Sequence, residues 1–188
     1  MSNPQLITVI ALTLVLVAAI AAWFFFRNRR TGRLRDRFGG AEYALALQAG
    51  GTQRHGEAEL DRRTARVEAF HLQPLAAADR TRFAASWSKI QGRFVDAPAG
   101  AVAEADQLVG DVMSTRGYPI GEFEQRAADI SVDHPMVLAN YRAAHEIAVS
   151  QSRGEASTED LRRAMIHYRS LFEELVAEPQ PPLLKVAS

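Results

Sequence analysis

Twenty-one consecutive residues, Leu6 to Phe26, carry only two polar side chains, Thr8 and Thr13, and run into a block of six arginines, Arg27, Arg29, Arg30, Arg33, Arg35 and Arg37. At about 1.5 Å per residue, such a run forms a helix of roughly 30 Å, the thickness of a bilayer's hydrocarbon core. The two threonine hydroxyls can bond back to carbonyls one turn earlier, so no polar group is left unsatisfied in lipid. Trp23 lies near the arginine end, at the depth where amphipathic aromatic rings settle. The sequence therefore predicts a transmembrane helix over 6–26, with Trp23, Arg27, Arg29 and Arg30 at the membrane interface.

Two other readings compete. Ala19-Ile20-Ala21 has the small-x-small form that a signal peptidase accepts. Against cleavage, residues 1–5 hold no basic side chain, the apolar run continues through Trp23 to Phe26, and the arginine block follows like a stop-transfer signal. A buried core helix is disfavoured because the run has no polar face.

Charge asymmetry then sets the expected orientation. Residues 27–37 hold six arginines and one aspartate, a local charge of +5, and no charged residue precedes them. Basic residues are retained in the cytoplasm, which predicts a bacterial inner-membrane protein with its N-terminus out and its C-terminal domain cytoplasmic, an exported domain being the alternative. The bilayer is the first expected partner, with anionic headgroups a second, since each basic residue near such a surface contributes about 1 kcal/mol. The chain is formally neutral, so residues 38–188 carry −5. That balance argues against nucleic acid as a partner. The absence of cysteine removes disulfides, thiolate nucleophiles and cysteine-based zinc sites together.

Beyond the arginines, Gly and Pro punctuate a series of helical segments. The expected organisation is a short N-terminal segment (1–5), the transmembrane helix (6–26), a basic juxtamembrane linker (27–40), a helical domain (41–178) and a Pro-rich tail (179–188). The fold class is all-α, the soluble part being an antiparallel bundle of about five helices. Gly39-Gly40 break the juxtamembrane stretch, and a helix over 41–48 stops at Gly50-Gly51. The next, near 57–70, is dense in charge, with a thin apolar face of Leu60 and Val67, and reads as largely solvated. Phe83, Trp87, Ile90 and Phe94 then recur at helical spacing, placing large aromatics on one face. Asp96 and Pro98 mark the start of a helix whose Val102, Leu108, Val109, Val112 and Met113 are apolar, and Gly117 and Pro119 close it. A short helix follows around 122–130.

The last two helices can be paired by number. Asp133 and Pro135 open one that carries Val137, Tyr141, Ala144 and Ala148 and stops at Gly154. Ser157-Thr158-Glu159-Asp160 caps the next, which carries Leu161, Met165, Tyr168, Phe172 and Leu175. A turn near 155 sets residues whose numbers sum to about 312 opposite each other, so small side chains such as Ala144 meet aromatics such as Tyr168 in an αα-hairpin.

Candidate chemistry is sparse. His145 and His167 fall at one height of that hairpin, but heptad positions place His145 beside the seam and His167 outside it, and no Glu-x-x-His pair lies within a predicted helix. No metal or cofactor is expected. His145-Glu146 begins a zinc-protease motif whose fifth position is Val149 rather than histidine. Gly50-Gly51-Thr52 lacks the spacing and lysine of a phosphate loop. Asp133-His134 before Pro135 reads as a helix cap, and Pro179-Gln180-Pro181-Pro182 as a helix stop with a formal Pro-x-x-Pro pattern.

Several strings carry a resemblance. They are Phe94-Val95-Asp96-Ala97-Pro98, Val112 to Pro119, His134-Pro135 with Tyr141-Arg142-Ala143-Ala144-His145, and Ser157 to Arg162. In these the chain resembles uncharacterised bacterial single-pass, membrane-anchored helical proteins, labelled hypothetical, secreted or membrane proteins. The resemblance implies a bacterial source and supplies no activity or site residues; its "secreted" label stands against the charge-based orientation. Two function classes follow from the residues. One is a membrane-tethered helical module that binds a protein partner. The other is a small-ligand binder or enzyme with an interhelical pocket formed by Tyr141, Arg142 and His145, disfavoured because no nucleophile, base and orienter set can be assembled.

Overall fold

The computed structural model describes residues 3–177, with side chains from 11 onward; the Pro-x-x-Pro pattern lies outside the described residues. They form seven α-helices and, among the described residues, no strand: α1 (Asn3–Gly50), α2 (Gln53–Glu68), α3 (Ala77–Arg93), α4 (Pro98–Thr115), α5 (Phe123–Asp133), α6 (Pro135–Ser152) and α7 (Thr158–Val176). The chain divides into two compact units, Met1–Asp61 and Arg62–Ser188.

In the first unit, α1 is long and apolar enough to cross a membrane by length and composition. The arginine stretch, expected as a linker, is helical. The expected break occurs as a kink at one residue, Gly39, whose φ of 72° and ψ of 163° lie outside the helical region and suit only glycine. Beyond the kink the helix continues to Gly50, and α2 returns against it. Leu34, Phe38, Tyr43 and Ala46 are buried. The approach of α2 is close: a Cβ at Gly56 would lie 2.8 Å from both the Ala46 carbonyl oxygen and Leu47 Cα. Leu60 is fully buried and Val67 nearly so, the two residues of the expected thin apolar face, and with Gly56 and Glu57 they are the buried positions of a helix otherwise exposed or half-buried. A charge-rich sequence hides that packing because it needs no apolar side chain at the glycine crossing.

In the second unit, α7 is the central element. It packs most extensively on α6, then on α4, and α4 packs on α3. Directions follow from named contacts. Trp87 of α3 stacks on Phe172 at 4.9 Å between ring centroids, and Phe94 and Met165 share a groove, so α3 runs antiparallel to α7. Tyr168 reaches Asp106 and the Leu175 carbonyl accepts from Arg116, so α4 runs parallel to it. Asn140 of α6 bonds to Ser170 and His167; the numbers sum to 310 and 307, a small shift from the register expected of the hairpin.

The expected apolar faces form this core. Phe83, Trp87, Ile90, Val102, Val109, Val112, Tyr141, Ala144, Leu161, Tyr168 and Leu175 are buried together, with Phe94 and Ala148 partly so. Local chemistry fixes the α6–α7 turn. Gly154 donates to the Gln151 carbonyl and Glu155 to that of Ser150, a Schellman stop, and Ser157 and Asp160 close a capping box at the start of α7. The start expected at Asp96 and Pro98 is that of α4, with Ala97 as N-cap, whereas the cap expected at Asp133-His134 makes no side-chain bond to α6, whose N-cap is His134. Pro98 and Pro135 at the first turn carry the start signal alone.

Because backbone atoms face Gly56, Gly56→Ala is expected to loosen the α1–α2 crossing by about 1–3 kcal/mol. Amide hydrogen exchange should speed up over 53–61 while the α6 and α7 amides keep their protection. Unchanged exchange over 53–61 would show that the close approach does not hold α2.

Candidate functional site

Two polar constellations stand out, one in each unit. The first is built on Glu57, a buried carboxylate in the second turn of α2. Its Oε1 accepts from Thr31 Oγ1 at 2.7 Å, Tyr43 Oη at 2.8 Å and Gln53 Nε2 at 2.8 Å. One oxygen therefore joins both halves of α1 to α2, across the kink. Burial raises the carboxyl's pKa, but the bonds from Gln53, Thr31 and Tyr43 and the charge of Arg30 outweigh it, so the net shift is downward. Burial and the Glu57 partner hold the Tyr43 phenol above its ordinary value. Arg30 bonds Asp61 on the same side of the pair. Nothing in the sequence singled out Glu57; the spacing of Gly50 and Gly56 was the available signal of a close helix crossing.

Beside this network lies a cavity of about 600 Å³. Trp23, Phe26, Arg27 and Arg30 of α1 form one wall, and Gln53, Arg54 and Glu57 of α2 form the other. Three of the four residues assigned from sequence to a membrane interface take part in this region through that wall. The fourth, Arg29, places its guanidinium 4.3 Å from the Phe25 ring centroid, and that of Arg27 lies 5.4 Å from the Trp23 ring.

The second constellation surrounds Tyr141, fully buried between α5, α6 and α7. Phe123 lies against the Tyr141 ring at 4.8 Å and stacks on the His145 imidazole at 3.5 Å, 6° from parallel. The Arg126 guanidinium is 5.9 Å from the Tyr141 ring. Tyr168 Oη donates to Asp106 at 3.1 Å. Burial raises the Tyr141 and Tyr168 phenols far above their usual range, and burial lowers the His145 imidazole. Tyr141 Oη, His145 Nδ1 and Arg126 Nε are buried without a hydrogen-bond partner in the protein.

The structure thus brings Tyr141 and His145 together, but through an aromatic stack that fills the space between them. Arg142 is half-buried and already engaged. None of these three lines the described cavities, the nearest of which, about 330 Å³, includes Arg126, Tyr118 and Gly110. Phe123, Arg126 and Asp106 complete the cluster and were not singled out by the sequence. No group of three or more potential metal-ligating residues occurs among the described residues.

Two other histidines, His167 and His134, bridge helices. His167 Nδ1 lies 3.0 Å from Asn140 Oδ1, so it donates, and His145 is not its partner. His134 lies between Glu174, 3.0 Å from Nδ1, and Arg116, 3.4 Å from Nε2. A carboxylate only accepts and a guanidinium only donates, so the neutral tautomer protonated at Nδ1 satisfies both. Asp133, expected to cap α6, accepts instead from Tyr118 at 3.3 Å.

Compared with known protein families, curated proteins and solved structures, the chain matches none. The resemblance in the sequence strings therefore gains neither an activity nor a set of site residues from these comparisons.

Two variants check these assignments. Glu57 has a folded-state pKa below its unfolded value, so its contribution to stability is complete above the ordinary value of 4.5 and is lost as pH falls through the lowered one. Glu57→Gln is expected to lower the thermal midpoint at pH 7, with the gap from the parent closing as pH falls below that value; a gap independent of pH would refute the ionised network. Tyr141→Phe deletes an unpartnered buried hydroxyl and should leave stability unchanged or raise it by up to about 1 kcal/mol in chemical denaturation. A loss of more than that would reveal a partner for the hydroxyl.

Proposed function

We propose that this chain is a membrane-tethered helical interaction module. In this reading the apolar part of α1 spans a bacterial inner membrane with the N-terminus outside. The arginines from Arg27 onward stay at the cytoplasmic leaflet, and α3–α7 form a cytoplasmic helical bundle that presents its surface to a protein partner.

The observation that carries the reading is the contrast between two apolar surfaces. Every residue from Ala11 to Phe26 is exposed around the whole helix, Phe26 at 69%. In α3–α7 the large apolar side chains that face inward, such as Trp87, Val112, Tyr141, Tyr168 and Leu175, form a buried core, with Met136 and Ile166 among the few left exposed on those helices. An apolar cylinder with no protein cover is stable only in lipid. A closed core with no enclosed cavity at Tyr141 and His145 favours work done at a surface. The −5 charge on residues 38–188 favours a basic partner surface and disfavours nucleic acid.

The chain is expected to stay in the membrane pellet after alkaline carbonate extraction. A reporter active only in an oxidising periplasm, fused after Ser188, should be inactive. Extraction into the supernatant would overturn the tether, and reporter activity would overturn the orientation. Cross-linking in intact membranes followed by affinity capture should yield a protein enriched over a fusion that carries residues 1–40 alone; equal recovery with that fusion would count against a partner for the bundle.

A further inference from the structure

The cavity between α1 and the start of α2 combines three features. It has an aromatic wall, Trp23 and Phe26, at the end of the exposed apolar stretch. It has three arginines, Arg27, Arg30 and Arg54, drawn from two helices. Its single carboxylate, Glu57, has one oxygen already engaged by three donors. Arg30 is committed to Asp61. Among the described residues, Arg27 and Arg54 have no carboxylate partner, and Arg27 instead lies over the Trp23 ring. Two uncompensated guanidiniums therefore line a cavity whose other wall is aromatic.

We propose that this cavity is a binding site for the phosphodiester headgroup of an anionic phospholipid. The proposal rests on the membrane-tethered reading above. Arg27 and Arg54 supply planar pairs of N–H donors that match the two free phosphate oxygens. Trp23 and Phe26 lie where the glycerol and first acyl methylenes would follow. The volume of about 600 Å³ accommodates a headgroup with its glycerol. A zwitterionic lipid would bring its ammonium among three guanidiniums, so the site selects an acidic headgroup such as phosphatidylglycerol. Arg33 and Arg35, equally basic, are exposed and lie outside the cavity.

That difference supplies the test. Full-length protein is reconstituted in phosphatidylcholine nanodiscs containing a minor fraction of phosphatidylglycerol, re-extracted, and its retained lipid counted by native mass spectrometry. The parent is expected to retain about one phosphatidylglycerol in preference to phosphatidylcholine. The pair Arg27→Gln/Arg54→Gln should weaken retention by about 30-fold and Arg54→Gln alone by about fivefold. Arg33→Gln/Arg35→Gln, with the same loss of charge, should retain it as the parent does.

Equal loss in both double variants would overturn the site in favour of diffuse attraction, and so would absence of headgroup preference. Inorganic phosphate that binds the lipid-free protein as tightly as phosphatidylglycerol, measured by calorimetry, would overturn the lipid assignment in favour of free phosphate. Carbonate extraction of each variant separates the two readings. A parent that stays in the membrane yet retains no phosphatidylglycerol refutes the site alone, whereas release of the parent refutes the tether beneath it.

Discussion

An apolar helix without a polar face needs an apolar surrounding that the rest of this chain does not supply. The stretch from Ala11 to Phe26 is exposed all round, whereas the core of α3–α7 is packed on itself, and the proposed membrane tether rests on that contrast. Burying apolar area contributes roughly 25 cal/mol per Å², so sixteen such residues left in water would offset much of the stability of a domain this size. In the proposed reading the arginines that follow mark the boundary of the bilayer. The carboxylate of Glu57 fixes the return of α2 against α1.

Glu57 acts in the first unit as the aromatic stack acts in the second. Each satisfies a local geometric demand, by different physics. Glu57 draws three donors onto one oxygen and stays ionised. Around Tyr141 the space is closed by rings, and burial raises the phenol and lowers the imidazole of His145. A cluster filled in this way defines a unique packing. Asp129 completes the contrast. It is buried with Gln125 and Arg66 as partners, and burial still pushes its pKa upward.

Most of the architecture was legible in the sequence, for physical reasons that differ by element. The faces of α3, α4, α6 and α7 were readable because large apolar side chains recur at helical spacing. The α6–α7 turn was readable because Gly154 and Ser157 carry their own local stop and start chemistry. The cap expected at Asp133-His134 did not form because Asp133 stands one position too early and is engaged by Tyr118; proline at the first helical residue set that boundary, as it did for α4. The close approach of α2 to α1 was not legible, since backbone contact at Gly56 leaves no hydrophobic pattern. The cavity was half legible: Trp23, Arg27 and Arg30 announced an interface, but Arg54 joins them through a fold-back that no periodicity encodes.

The central place of α7 has a consequence for how the chain is made. Synthesis proceeds from the N-terminus, so α1 is complete while the rest is still on the ribosome. The aromatic face of α3 and the apolar side of α4 both close against α7, whose residues 158–176 emerge near the end. Until then Trp87 and its neighbours remain uncovered, and the aromatic face of α3 waits through the synthesis of α4, α5 and α6 for the helix that closes it.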